Sequence, residues 1–310
     1  MSWLRASIVL VLFMGLTLPL MPLQAVFLRF SPNFARRFPR WYHQRVCRLL
    51  GLRIQIEGNV SRDNPVLVVS NHASWLDIPV ISSVAPVSFI AKKEVGTWPF
   101  VSSLAKLQRT IFIDRERRAS VGDTTEEILT RLRSGDSLVL FAEGTSSDGN
   151  RVLPFKTSLF AAAKPSALRA AIRRDKEIAT DESVTASPKE NRQVLVQTLT
   201  IAYTRLHGIP LRRADRPLVG WYGDMDMAPH AWQLLQAGPI DAVIKIGRPV
   251  PLDAFMDRKA LAKYSEEEIR KEHVRILRGI TADEPVEPAQ TPSEPESASP
   301  PQSEAKRSYG

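Results

Sequence analysis

The chain predicts an α/β domain behind an N-terminal membrane anchor helix, and three observations carry that reading. Short apolar, β-branched runs alternate with helical stretches between residues 52 and 281. The runs at 66–70 and 137–141 each end in polar or charged residues followed by small ones, as strands do where a sheet opens into a crevice. Before all of this stand 23 consecutive uncharged residues, 6–28. With 310 residues, 44% hydrophobic and 24% charged, the chain can bury one large core or two modest ones, which excludes a disordered protein.

The uncharged run is rich in Leu, Val, Ile, Met and Phe. At 1.5 Å per helical residue it has about the length of a hydrocarbon core, roughly 30 Å. Pro19 and Pro22 predict a kink in its last third, or a helix that dips in and returns. No small-x-small cleavage site precedes Arg29, which favours an anchor over a signal peptide. One arginine lies before the run, and seven follow it before the first acid, Glu57. That asymmetry places the body on the cytoplasmic side of the inner membrane. Residues 31–51 mix Phe, Trp and Tyr with arginine, a composition for an interfacial segment that touches anionic lipid.

In the body, 52–57 alternates apolar and polar residues like a half-buried strand. Strands at 66–70 and 87–91 flank a helix at 75–83, and a helix at 99–107 leads to a strand at 110–113. A helix at 120–132 precedes the buried strand 137–141. Strands at 193–203 and 242–246 and a long charged helix at 260–280 complete the domain. Residues 164–192 carry many charges without apolar periodicity and read as a peripheral insertion. The tail 282–310 holds six acids, two bases and six prolines, a composition for disorder. Without that tail the net charge of +9 becomes +13. A basic surface can meet nucleic acid or anionic lipid; the adjoining apolar run decides for lipid, and no nucleic-acid module follows. The single cysteine, Cys47, excludes an internal disulfide and a thiolate-rich zinc site, and no metal-ligand cluster is visible.

The stretch Asn71-His72-Ala73-Ser74-Trp75-Leu76-Asp77 carries the most chemistry. A histidine in the turn after a strand, with an acid five residues on, can form a general base oriented by a carboxylate. On one helix the two would stand about 140° apart, so His72 must precede a helix that begins at Trp75 and is capped by Ser74. The plain alternative is a capping box, with Asp77 holding free backbone donors. Thr110-Ile111-Phe112-Ile113-Asp114-Arg115 sends Arg115 out of the sheet at the same edge, suited to a phosphate contact. Phe141-Ala142-Glu143-Gly144-Thr145-Ser146-Ser147 supplies a tight turn with hydroxyl and N–H donors, without Walker spacing. Arg151 and Lys156 add positive charge just beyond it.

Taken in order, Asn71-His72-x4-Asp77, Phe112-Ile113-Asp114-Arg115 and Phe141-x-Glu143-Gly144-Thr145 resemble the motifs of glycerolipid acyltransferases similar to bacterial 1-acylglycerol-3-phosphate acyltransferase. The likeness covers about residues 50–205 and continues more loosely to about 250. Leu153-Pro154-Phe155-Lys156, the stretch 202–208 and Trp221-Tyr222-Gly223-Asp224-Met225 are similar to an alphaproteobacterial subgroup, some of whose members acylate lyso-ornithine lipids. The resemblance implies a single acyltransferase domain, a central mixed sheet with flanking helices. It makes His72 the base on the acceptor hydroxyl and Asp77 its orienting partner. It gives Arg115 the acceptor's phosphate, and Glu143, Gly144 and Thr145 a part in holding the acceptor. It also implies direct transfer from acyl-CoA or acyl carrier protein, with no cofactor or metal. Three positions depart from the family pattern: Ala142 and Thr198 stand where proline is common, and Ser146 where arginine is. Arg151 or Lys156 can replace that arginine, and Thr198 is expected to alter acceptor packing.

A membrane-bound O-acyltransferase that converts lysophosphatidic acid to phosphatidic acid is the first reading. Acylation of lyso-ornithine lipid is its alternative. A non-catalytic lipid binder has no need for the base–acid pair, and a thioester or lysolipid hydrolase would put water in place of the acceptor.

Overall fold

The computed structural model describes residues 2–114, 120–163 and 193–279. Arg115, the charged segment 164–192 and the acidic tail therefore lie outside the described residues, as do the expectations placed on them.

Two helices come first, α1 (Ser2–Phe30) and α2 (Pro32–Leu50). α1 is one continuous helix with Pro19 and Pro22 inside it. The chain turns at Ser31. Contacts pair residues far apart in sequence: Gln24 Nε2 donates to Ala35 O at 3.0 Å, Thr17 and Tyr42 hydroxyls meet at 2.7 Å, and Arg5 reaches Leu50 O at 3.3 Å. That register is an antiparallel αα-hairpin. Phe27 closes its turn, stacked on Phe34 and edge-on to Phe38 at 5.6 and 5.3 Å. α2 ends at Gly51, whose φ of +78° suits glycine and lets its N–H reach back to Cys47 and Arg48 carbonyls.

The body holds strands β1 (Leu52–Glu57), β2 (Val66–Ser70), β3 (Ser88–Lys92), β4 (Ile111–Ile113) and β5 (Leu138–Phe141). It continues with β6 (Leu195–Leu206), β7 (Ile209–Pro210), β8 (Ile240–Ile246) and β9 (Val250–Pro251). Helices α3 (Asp77–Val84), α4 (Val101–Leu107), α5 (Ser120–Arg133), α6 (Met227–Ala237) and α7 (Arg258–Leu277) flank them. The order across the mixed sheet is β1-β8-β6-β2-β5-β3-β4, with β7 and β9 paired to β6. From β6 to β4 every pair is parallel; β8 runs against β6, and β1 follows β8. β2 and β5 are buried along their whole length, the pattern of strands covered on both faces. β8 buries every second residue, as a half-covered strand does.

Side chains from alternate positions build two cores. Val66, Val68, Val139, Leu199 and Ile201 pack on one sheet face with Cys47 of α2, Val80 of α3 and Leu234 of α6. Leu67, Val69, Leu140 and Val196 pack on the other with Ile128 of α5 and Ile269 of α7. Helix α6 has no counterpart among the expected elements. Its cue was Asp226 before the first helical residue and Gly238 just past the last, around an irregular apolar pattern broken early by Pro229. The arginines of α2 divide. Arg36 pairs with Asp136 at 2.8 Å and Arg40 reaches Ser83 O, so both point into the protein. Arg37, Arg45 and Arg48 are exposed on one stripe with Phe34 and Trp41. Only one face of α2 therefore exposes the mix of aromatics and arginines that the interfacial expectation for 31–51 rests on.

Candidate active site

Because β2, β5, β3 and β4 are parallel, the segments that follow them emerge at one edge of the sheet. Asn71 continues β2 sideways: its amide donates to Ile201 O and accepts from Ile201 N, both at 2.9 Å. A side chain thus imitates the sheet ladder for one more rung and frees the main chain to turn at His72.

His72 Nδ1 donates to Asp77 Oδ2 at 2.8 Å. A carboxylate only accepts, so this bond fixes the proton on Nδ1 and leaves a lone pair on Nε2. The same Oδ2 accepts from Ala73 N at 2.7 Å and Ser74 N at 3.1 Å, and Oδ1 accepts from the Tyr203 hydroxyl at 2.7 Å. Asp77 is fully buried, while the His72 side chain keeps 17% of its surface open. The helix starts two residues later than the sequence suggests, with Leu76 at the cap and no side-chain cap bond. Ser74 Oγ accepts from Leu76 N at 3.4 Å, and the one Asp77 carboxylate takes both the backbone donors ahead of the helix and the His72 ring. The His72 ring lies on Phe141, centroids 4.1 Å apart and 17° from parallel, and Phe89 continues the stack at 5.9 Å. Burial and the Asp77 charge raise the Tyr203 hydroxyl far above its ordinary range, so it stays a donor.

Glu143 does not face the crevice. Its Oε1 accepts from His72 N at 2.9 Å and its Oε2 from Leu153 N at 3.0 Å, with 1% of the residue exposed. It ties the turn after β2 to the loop after β5, which corrects the expectation that it contacts the acceptor. Burial pushes its carboxyl up to about 8, against the pull of those two N–H donors. Gly144 turns the chain at φ +72°, and Ser147 N then donates to His72 O at 2.9 Å. Thr145, Arg151 and Lys156 are exposed on this loop; against burial, which raises it, the Asp148 carboxyl is lowered by hydrogen bonds from Asn150 and then by the charges of Arg151 and Arg213. Thr198 lies against Gly247, and in the alternation of β6 it points to the face opposite Tyr203, away from His72 and Asp77. Its expected influence on acceptor packing has no basis in that placement.

Sequence reasoning missed a fourth wall. Trp221 N donates to Ala73 O at 2.8 Å, and a Cβ on Gly220 would meet the Ser147–Asp148 backbone at 3.2 Å. Trp221 also packs edge-on to Trp98, which follows β3, at 5.8 Å. Trp75 Nε1 donates to His230 Nδ1 of α6 at 3.1 Å. The loop before α6 thereby closes over the turns after β2 and β5. Tyr203 was legible as a strand residue, but nothing local announced its partner 126 positions away.

The chain that carries this arrangement resembles known proteins in sequence and in fold. Residues 52–172 match the family model described as Acyltransferase. The lyso-ornithine lipid O-acyltransferase of Brucella abortus (strain 2308) is 46% identical over 267 residues, 86% of this chain and 93% of that protein. The chain belongs to the acyltransferase family. The protein of the same description from Rhizobium meliloti (strain 1021) is 38% identical, with 90% of this chain and 89% of that protein covered. The crystal structure of the 1-acyl-sn-glycerophosphate (LPA) acyltransferase PlsC from Thermotoga maritima shares the fold, with a TM-score of 0.57 and 22% identity over 89% of this chain and 98% of that one. Those relatives are named for lysolipid acceptors, and the apolar N-terminal helix of this acyltransferase fits membrane association.

Proposed function

We propose that this acyltransferase moves a fatty acyl group from an acyl thioester to the hydroxyl of a lyso-ornithine lipid. The observation that carries the acceptor is the description shared by relatives 46% and 38% identical over nearly their whole length. Ser146, standing where the phosphate-handling members have arginine, points the same way. The order of the two acceptors is thus the reverse of the one the sequence motifs alone suggest, where lysophosphatidic acid came first.

In this reading His72 Nε2 takes the proton from the acceptor hydroxyl. The oxygen attacks the thioester carbonyl carbon, the C–S bond breaks as the ester forms, and the departing thiolate takes the proton back from His72. Asp77 stabilises the imidazolium formed between these steps, and Tyr203 fixes the carboxylate from behind. An ornithine with one nitrogen in an amide retains one ammonium and one carboxylate. Arg115 is assigned that carboxylate, with Arg151 and Lys156 as flanking cations and Gly144 and Thr145 shaping the turn. The donor is acyl-CoA or acyl carrier protein.

For localisation we propose that the α1–α2 hairpin lies in one leaflet of the inner membrane with the body on the cytoplasmic side. α1 is long and apolar enough to span. Yet Arg5, at its start, donates to carbonyls ending α6 and α2, and Gln24, near its finish, donates to Leu107 O beside α4 at 2.9 Å. A helix tied to the body at both ends lies along it, with Trp3, Ile8, Val11, Leu18, Val26 and Phe30 left for the lipid.

The test is a competition. Membranes carrying the full chain receive one labelled acyl thioester with lyso-ornithine lipid and lysophosphatidic acid together, and products are identified by mass spectrometry. Acylated ornithine lipid is expected; phosphatidic acid alone would return the first reading, and free fatty acid alone would make the protein a hydrolase.

A further inference from the structure

A cavity of about 580 Å³ opens on the side of the sheet away from the hairpin, over β1, β8 and the end of β6 and against the last turn of α7. In β1, Leu52 and Ile54 face the core shared with α2 and α3, so Arg53, Gln55 and Glu57 face this cleft. Five guanidinium groups and two carboxylates line it. Arg53 is taken by Asp241 at 2.7 Å, and Arg275 by Glu57 and Glu272. The guanidinium groups of Arg205 and Arg278 are exposed and have no hydrogen-bond or ion-pair partner among the described residues. Arg216 spends one nitrogen on Asn150 Oδ1 at 3.1 Å and leaves its Nε buried without a partner. The cleft is therefore short of anions.

It is also close to the chemistry. Arg205 stands two residues beyond Tyr203, roughly 7 Å along a strand. Arg216 borders both the cleft and a small space behind the catalytic turn, against Ala73 and Tyr203. Its carbonyl accepts from Gly220 N, next to the Trp221 N–H that holds Ala73 O. The two substrates differ in solubility: a lysolipid comes from the membrane side, where α1 exposes its apolar face, whereas a thioester donor comes from water. Whether the acyl group rides on coenzyme A or on a carrier protein, its pantetheine arm ends in a phosphate. Guanidinium forks suit that group, and the volume suits a ligand of nucleotide size.

We propose that this cleft seats the phosphate-bearing end of the acyl donor, so that donor and acceptor approach His72 from opposite faces of the sheet. The proposal rests on the acyl-transfer reading above. The double variant Arg205→Ala/Arg278→Ala of the full chain is assayed with acyl-CoA and with acyl carrier protein at saturating acceptor. The KM for the true donor should rise about tenfold, with kcat and the acceptor KM unchanged, and the arm that changes identifies the carrier. Unchanged KM values for both donors, or a rise in the acceptor KM alone, would overturn it. Free coenzyme A and the holo carrier protein are also titrated onto both proteins without any acceptor. Binding to the wild type that the variant loses supports the cleft even if the acceptor assignment fails; binding of neither to the wild type sinks it. An unchanged melting temperature of the variant confirms that the fold is intact.

Discussion

At the sheet edge that carries His72, two backbone N–H groups, an imidazole and a phenol converge on one buried carboxylate, Asp77. In the N-terminal hairpin, Arg5, Thr17 and Gln24 are spread along 29 residues; Arg5 and Gln24 reach different places on the body, and Thr17 reaches the facing helix. Both regions put polar groups into apolar surroundings, where an unpaired group costs about 1–3 kcal/mol. The edge concentrates its bonds to fix one ring. The hairpin distributes its bonds to fix the direction of a helix. Damage at the edge should therefore appear in turnover, and damage in the hairpin in stability and attachment.

The largest separation is expected from His72→Ala. Acyl transfer should fall by about 10²–10⁴, the usual worth of a positioned base. Sedimentation with membranes should stay at the wild-type level, because the His72 side chain bonds to Asp77 and stacks on Phe141, both outside the hairpin. A variant that keeps its turnover would remove the histidine from the mechanism.

Tyr203→Phe should act more gently at the same edge. The ring still fills its place in the core, but Asp77 Oδ1 loses its hydroxyl donor at 2.7 Å. A drop of about tenfold in kcat is expected if the carboxylate reorients, beside a stability loss of about 1 kcal/mol. Equal kcat values would show that the two backbone N–H groups suffice to hold Asp77.

How much of each region could be read in the sequence follows from the range of its interactions. His72 and Asp77 lie five residues apart, so spacing and turn chemistry reveal the pair before any fold is known. The strands were legible too, because buried parallel strands are continuous apolar runs. Glu143 was found but misread: its partners, His72 N and Leu153 N, are backbone groups, which have no signature in sequence. Tyr203, Trp221 and α6 depend on contacts across more than 100 positions. The hairpin was half legible. Hydropathy gave the length of α1, but only tertiary packing shows that Gln24 and Arg5 turn toward the protein.

Gln24→Leu breaks the comparison from the other side. It makes α1 more apolar, so a freely spanning anchor would insert at least as well. In the packed hairpin the change removes the donor to the buried Ala35 O and the donor to the part-buried Leu107 O. A stability loss of about 1–3 kcal/mol is expected with kcat unaltered in the surviving fraction. Denaturant titration in detergent measures the first and a specific-activity assay the second. An increase in stability would mean that α1 is not docked along the body.

The smallest effect is a slope. Glu143 titrates near 8 when folded and near its ordinary 4.5 when unfolded. Between those values the folded chain holds a proton that the unfolded chain has released, so stability must fall as pH rises through this window. One fully differential proton gives at most about 1.4 kcal/mol per pH unit. Gln at 143 does not titrate. Its amide nitrogen would also face one of the two N–H donors, so Glu143→Gln should be less stable at every pH yet show a flatter decline between pH 5 and 8. Thermal midpoints at three pH values separate the two effects, because the lost bond moves the whole curve and the lost titration changes its tilt. The Gln24→Leu protein serves as the comparison, since it should be shifted without a change of tilt. Parallel curves for wild type and Glu143→Gln would mean that the two N–H donors outweigh burial and keep the carboxylate charged.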